Sequence, residues 1–254
     1  MPILADAWES LKRNQSALFL YVGGRCLLTL IINTATILLG ITPDSDSSWI
    51  HAFEFSTDLL DAAAYSALMA IVFARMGEDI DRPLWRCPSD REALRRFFVP
   101  WFIINIALLT MIQLSGRAAK AENSDLAGSL GLLILLATLV AVPIGACIMY
   151  HGRLRWSELD EALKPLIAHL DLMLPVFGVL LLQFLLLMLA AALHVPWDEL
   201  PDKSLWTLLK TQALFWAIAS VPLNALDCLA FAMVWRICMI HRDEGVDDSD
   251  PFDF

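Results

Sequence analysis

The chain has 254 residues, is 58% hydrophobic and carries a net charge of −10, with a mean hydropathy of +0.61. Soluble domains run at about 45–50% apolar, and the length alone would allow one or two of them. The apolar residues here come in blocks too long for a soluble core, which excludes that class.

A helical span needs roughly 20 apolar residues to cross the hydrocarbon layer. From the N-terminus, a short amphipathic segment places Leu4, Trp8 and Leu11 on one face and ends in Lys12 and Arg13. The first predicted span, 17–41, contains one charge, Arg25; the second, 57–74, is entered through acidic residues. Residues 97–116, 126–150 and 172–193 are spans without charge, and the sixth, 211–235, contains Asp227. A membrane barrel is excluded, because its strands alternate in polarity whereas these runs are continuously apolar, as helices in lipid require. The reading is an all-α membrane fold of six transmembrane helices. It forms a single domain over 1–242, followed by an acidic, disordered tail over 243–254 with six Asp or Glu.

A short motif recurs three times at the mouth of an apolar run: Glu9-Ser10-Leu11-Lys12-Arg13, Glu92-Ala93-Leu94-Arg95-Arg96 and Glu161-Ala162-Leu163-Lys164-Pro165. Each copy follows a tryptophan: Trp8, Trp85 or Trp156. The copies divide the chain into three parallel helical-hairpin repeats, about 3–76, 84–155 and 156–242, each led by a cytoplasmic amphipathic helix. Such helices lie along the headgroups with their basic residues toward anionic lipid. The lipid-interface candidates are therefore Trp8, Lys12, Arg13, Trp85, Arg95, Arg96, Trp156 and Lys164.

Basic residues set the orientation. Thirteen Lys and Arg fall on the side of the termini and of the second and fourth loops, against four on the other side (Arg117, Lys120, Lys203 and Lys210). The positive-inside rule then puts both termini in the cytoplasm, in a cell inner membrane. The first run reads as an uncleaved signal-anchor helix. No cysteine falls in an external loop: Cys26, Cys147 and Cys228 lie in spans, Cys87 and Cys238 on the cytoplasmic side. No external disulfide framework is expected, and no zinc-ligand spacing occurs.

In layout, with a Trp- and Leu-bearing helix leading into each hairpin and six spans in all, the chain resembles the YciC-like inner-membrane proteins. It is similar also to the membrane domain fused to some glycerophosphoryl diester phosphodiesterases. The resemblance implies an envelope or membrane-homeostasis role. The phosphodiesterase catalytic barrel is absent, so its chemistry is not implied.

Charge inside a bilayer costs about 2.5–3.5 kcal/mol per residue at mid-helix even on low scales, so function would concentrate there. Glu54, Asp58, Asp61 and Tyr65 share one face of the second span. Asp61 lies roughly 21 Å along the helix from Arg75 at 1.5 Å per residue, too close to be excluded from a ~30 Å core. Such a stripe either holds a cation or relays protons, or is a hydrated outer helix end. Arg25 and Asp227, at intermediate depth in the first and last spans, are candidates for a structural ion pair closing the bundle. Asn33, Asn105, Gln113 and Gln183 read as interhelical hydrogen-bond glue. Nothing resembles a nucleophile elbow, a phosphate loop or a zinc-protease helix. The expected protein is thus not an enzyme, with no catalytic residues, metal or cofactor. Its expected role is envelope or membrane organisation, with membrane lipids and other proteins as partners and no nucleic acid. The alternative is a small ion or solute transporter using the acidic face of the second span.

Overall fold

A computed structural model describes residues 2–41, 48–81, 89–120, 124–152, 159–195, 200 and 204–247. The fold is all-α. Its elements are α1 (Pro2–Arg13), α2 (Gln15–Leu38), α3 (Ser48–Ile80), α4 (Asp90–Lys120), α5 (Ser124–Tyr150), α6 (Leu159–Ala168), α7 (Leu170–Leu193), α8 (Leu205–Leu208), a π-helical turn (Leu209–Leu214) and α9 (Phe215–Asp247). Six helical stretches, one in each of α2, α3, α4, α5 and α7 and one running from α8 through α9, are long and apolar enough to cross a membrane. The chain is a multi-pass membrane protein.

Side-chain partners give the directions of the helices. Arg25 meets Asp61 and Tyr21 meets Tyr65, so α2 and α3 run antiparallel. Asp58 meets Gln113 and Ser66 meets Asn105, so α3 and α4 do too. Gln183 meets Asp227 and His169 meets His241, which turns α7 against α9. By contrast α3 and α9 run parallel: Tyr65, Phe73 and Asp81 pair in order with Asp227, Phe231 and Arg242.

α9 is the central pillar. It packs on α1, α2, α3, α5, α6 and α7, and every residue from Asp227 to Trp235 is buried. Aromatic rings fill the centre. Phe73 stacks on Phe231 at 4.2 Å between centroids and meets Tyr21 at 5.3 Å and Trp101 at 5.4 Å. Two glycines make room for indoles. A Cβ on Gly77 would fall 2.6 Å from the Trp235 ring, and one on Gly145 would run into the Trp101 ring. Overpacking a tight core costs about 1–3 kcal/mol. Gly145→Ala is therefore expected to destabilise the protein by that amount in a thermal melt in detergent, with part of the loss recovered when Trp101→Phe is added.

Helix ends follow from local chemistry. Gly40, at φ +65°, closes α2: its N–H donates to the Ile37 carbonyl and that of Ile41 to the Thr36 carbonyl, the paired bonds of a Schellman cap. Gly152, at φ +73°, ends α5 with a bond to the Met149 carbonyl. Asn14 breaks α1 from α2, and His169 breaks α6 from α7.

The three motif copies sit differently from the expectation of one leading helix each. The first lies on α1 and the third on α6, but the second opens α4 with no break before the span. What the copies share is local. The residue after the glutamate is buried in each (Ser10, Ala93 and Ala162). The glutamate pairs with a base three or four residues on: Glu9 with Lys12, Glu92 with Arg96, Glu161 with Lys164. The expected acidic tail also begins later than 243. α9 continues through Asp247, with Asp243 accepting from Arg242 and Glu244 3.5 Å from His169. Residues 248–254 lie outside the described residues.

Candidate functional site: a polar cluster within the bundle

Asp227 lies inside the bundle, 4% exposed, and is ringed by donors. Tyr65 donates to its Oδ2 at 2.6 Å and Tyr21 to the same oxygen at 3.2 Å; Gln183 donates to Oδ1 at 2.7 Å. The Gln183 amide also donates to the Leu223 carbonyl, one turn before Asp227, at 3.1 Å. Four helices (α2, α3, α7 and α9) therefore meet on one carboxylate.

Arg25 and Asp227 do not form the expected ion pair. The Arg25 guanidinium donates to Asp61 Oδ1 at 2.7 Å and lies over the Tyr65 ring, 3.9 Å from its centroid. The reason is stereochemical. Arg25 is one turn from Tyr21 on α2, as Asp61 is from Tyr65 on α3. In an antiparallel pair the turn holding Arg25 faces the turn holding Asp61. The two tyrosines come next to each other one turn along, where they face α9. Tyr65 thus stands between the cation and Asp227, holding the first by its ring face and the second by its hydroxyl.

The acidic stripe of α3 separates in the same way. Asp61 goes to α2, Asp58 accepts from Gln113 of α4 at 2.6 Å, and Glu54 is exposed near the far end. Asn105 donates to Ser66 at 2.9 Å, adding a second tie between α3 and α4. Asp58, Asp61 and Asp227 thus each accept from a side chain on a neighbouring helix. The match is incomplete at two atoms: Gln183 Oε1 and Arg25 Nε are buried without a hydrogen-bond partner among the described residues. Among the described residues no group of three or more His, Cys, Asp or Glu is arranged to hold a metal ion. Cys238, read as lying on the cytoplasmic side, packs in the core with its sulfur 3.5 Å from that of Cys147.

At one end of the bundle the motif copies and the ends of α3 and α9 gather. Asp79 accepts from Asn14 at 2.8 Å and lies 3.6 Å from Arg13; buried Asp81 accepts from Arg242 at 2.6 Å; Arg75 pairs with Asp90. α1 does not present the expected face to lipid. Ile3, Ala7, Ser10 and Leu11 are buried, while Trp8 is 54% exposed with Lys12 beside its ring. Leu11 thus faces protein and Trp8 faces outward. Lys12, Arg13, Arg96 and Lys164 each have an acidic neighbour on the protein. Arg95 is exposed and carries no ion pair among the described residues. Trp85 and Trp156 lie outside the described residues.

The class defined by this fold and cluster is a multi-pass α-helical membrane protein with a hydrogen-bonded polar centre. No protein-family model, no curated protein and no solved structure matches the chain.

Proposed function

We propose that the protein is a non-enzymatic component of the cell inner membrane that organises lipid or partner proteins at its basic end, with both termini in the cytoplasm. The observation that carries this reading is the gathering, at one end of the bundle, of an outward Trp8 and the exposed bases Lys12, Arg95, Arg96 and Lys164 on three separate helices, α1, α4 and α6. The excess of Lys and Arg at that end supports its cytoplasmic placement. Surface ion pairs hold their partners by only about 0–1 kcal/mol, so bases already paired to Glu9, Glu92 or Glu161 remain able to exchange onto lipid phosphate. The layout resemblance to YciC-like proteins points to the same envelope role.

The test is lipid retention. Protein purified from bilayers of mixed phosphatidylglycerol and phosphatidylcholine is expected to carry phosphatidylglycerol in excess. Arg95→Gln with Arg96→Gln should reduce that excess by up to about thirtyfold, at ~1 kcal/mol per base near the surface. Equal retention of both lipids by the wild type, or no change in the double variant, contradicts the reading.

A further inference from the structure

A groove of about 690 Å³ opens on the side of the bundle between α1 and the first three turns of α7. Its volume lies in the range of ~300–1,000 Å³ occupied by small-molecule sites. Ile3 and Leu4 form one wall; Leu172, Leu174, Pro175, Val179 and Leu182 form most of the other, and Asp171 stands at its end. The α7 residues that line it, from Asp171 to Leu182, cover roughly 16 Å at 1.5 Å per residue. That is about half of a ~30 Å hydrocarbon core, the depth of one leaflet. The groove starts where α7 leaves the basic end, so its solvent is the inner ends and chains of that leaflet.

The end of the groove offers acceptors. Asp171 is exposed and has no ion-pair partner among the described residues. Pro175, one turn on, has no N–H, so the α-helical donor for the Asp171 carbonyl is missing. The exposed carboxylate selects a ligand that brings positive charge and N–H donors, and it repels an anionic headgroup. The floor is open at Gly178: a Cβ built there meets no atom within 4 Å.

We propose that this groove is a binding site for a phospholipid with an ethanolamine headgroup, one acyl chain lying along α7 and the ammonium donating to Asp171. The proposal deepens the lipid-interaction reading and rests on it only for a membrane in which α7 faces lipid. Its ligand and residues differ from those of the basic end, so the two stand or fall separately.

The experiment is recovery of protein from bilayers of phosphatidylethanolamine, phosphatidylcholine and phosphatidylglycerol, with bound lipid counted by mass spectrometry. Phosphatidylcholine has the same chains and no N–H donor. The wild type should retain phosphatidylethanolamine over phosphatidylcholine by about fivefold, the effect of a hydrogen bond worth about 1 kcal/mol net, since both headgroups carry one positive charge. Gly178→Leu, which fills the groove from a position with free space and favours the helix, should lose the bound phosphatidylethanolamine. Leu182→Trp plugs it from the deeper end and serves if Gly178→Leu does not fold. Asp171→Asn should keep the lipid but lose the preference. Undiminished retention in a folded plugging variant, or an undiminished preference in Asp171→Asn, overturns the proposal. Phosphatidylglycerol retention should be unchanged by all three variants; its loss in Gly178→Leu would place the anionic lipid in the groove and overturn the proposal as well.

Discussion

Asp227→Ala is expected to destabilise the protein by roughly 2–5 kcal/mol, since it removes three interhelical bonds worth about 0.6–1.7 kcal/mol each in a membrane protein. Tyr65, Tyr21 and Gln183 would all lose their acceptor, and in a bundle core no water replaces it. Asp227→Asn should cost less, because one amide oxygen still accepts from part of the ring of donors. Unfolding in mixed micelles by increasing denaturing detergent measures both. The order Ala worse than Asn worse than wild type is the expected result. Tyr65→Phe should reproduce part of the loss and add little on top of Asp227→Ala, because the two residues share one bond.

Arg25→Glu is expected to cost about 3 kcal/mol, the lower end for breaking a buried ion pair. The Arg25 side chain is 16% exposed but Asp61 is 36% exposed, which softens the loss. It also places two carboxylates against each other. The double variant Arg25→Glu with Asp61→Arg should recover most of the folded yield. Arg25→Glu with Asp227→Arg should not, because Asp227 is held by Tyr21, Tyr65 and Gln183 and not by the guanidinium. Folded yield by size-exclusion chromatography of fluorescent fusions distinguishes the two rescues.

These two results bear on what the amino-acid sequence makes legible. The six spans follow from length and apolarity alone. Part of the polar cluster is legible too: Arg25, Asp58, Asp61 and Asp227 stand out because lipid makes every buried charge costly, and Tyr65 because it shares a face with two of the acids. The pairing within the cluster does not follow, because periodicity tells which residues share a face and not which helix lies opposite. Tyr21 was the missing member. Its signal was present, one turn before Arg25 on the same face of α2. Gln183 and Gln113, read as interhelical hydrogen-bond glue, do tie helices together, and their partners are two of the acids.

The face of α1 was misread for a related reason. Lipid chains are as apolar as leucine, so an apolar stripe does not say whether protein or lipid covers it. The small residues were the better guide. Ala7 and Ser10 allow close approach to α9, and Ser10, Ala93 and Ala162 mark the buried position in all three motif copies. The same ambiguity hid the central helix. The most apolar spans include α7, whose leucines are largely exposed on the outside of the bundle. The last span, less apolar and interrupted by Asp227, is the most buried. In a membrane protein the polar residues, more than the apolar ones, point inward.

The intramembrane carboxylates are ties between helices. The most direct test of that role is flux: wild-type protein and the variants Asp58→Asn, Asp61→Asn and Asp227→Asn, reconstituted in proteoliposomes, with proton and monovalent-cation movement followed by entrapped indicators. The predicted result is the background leak of empty vesicles in every case, with Asp227→Asn unfolding earlier than the wild type. A wild-type flux above that leak, abolished by any of the three substitutions in protein that remains folded, would contradict it.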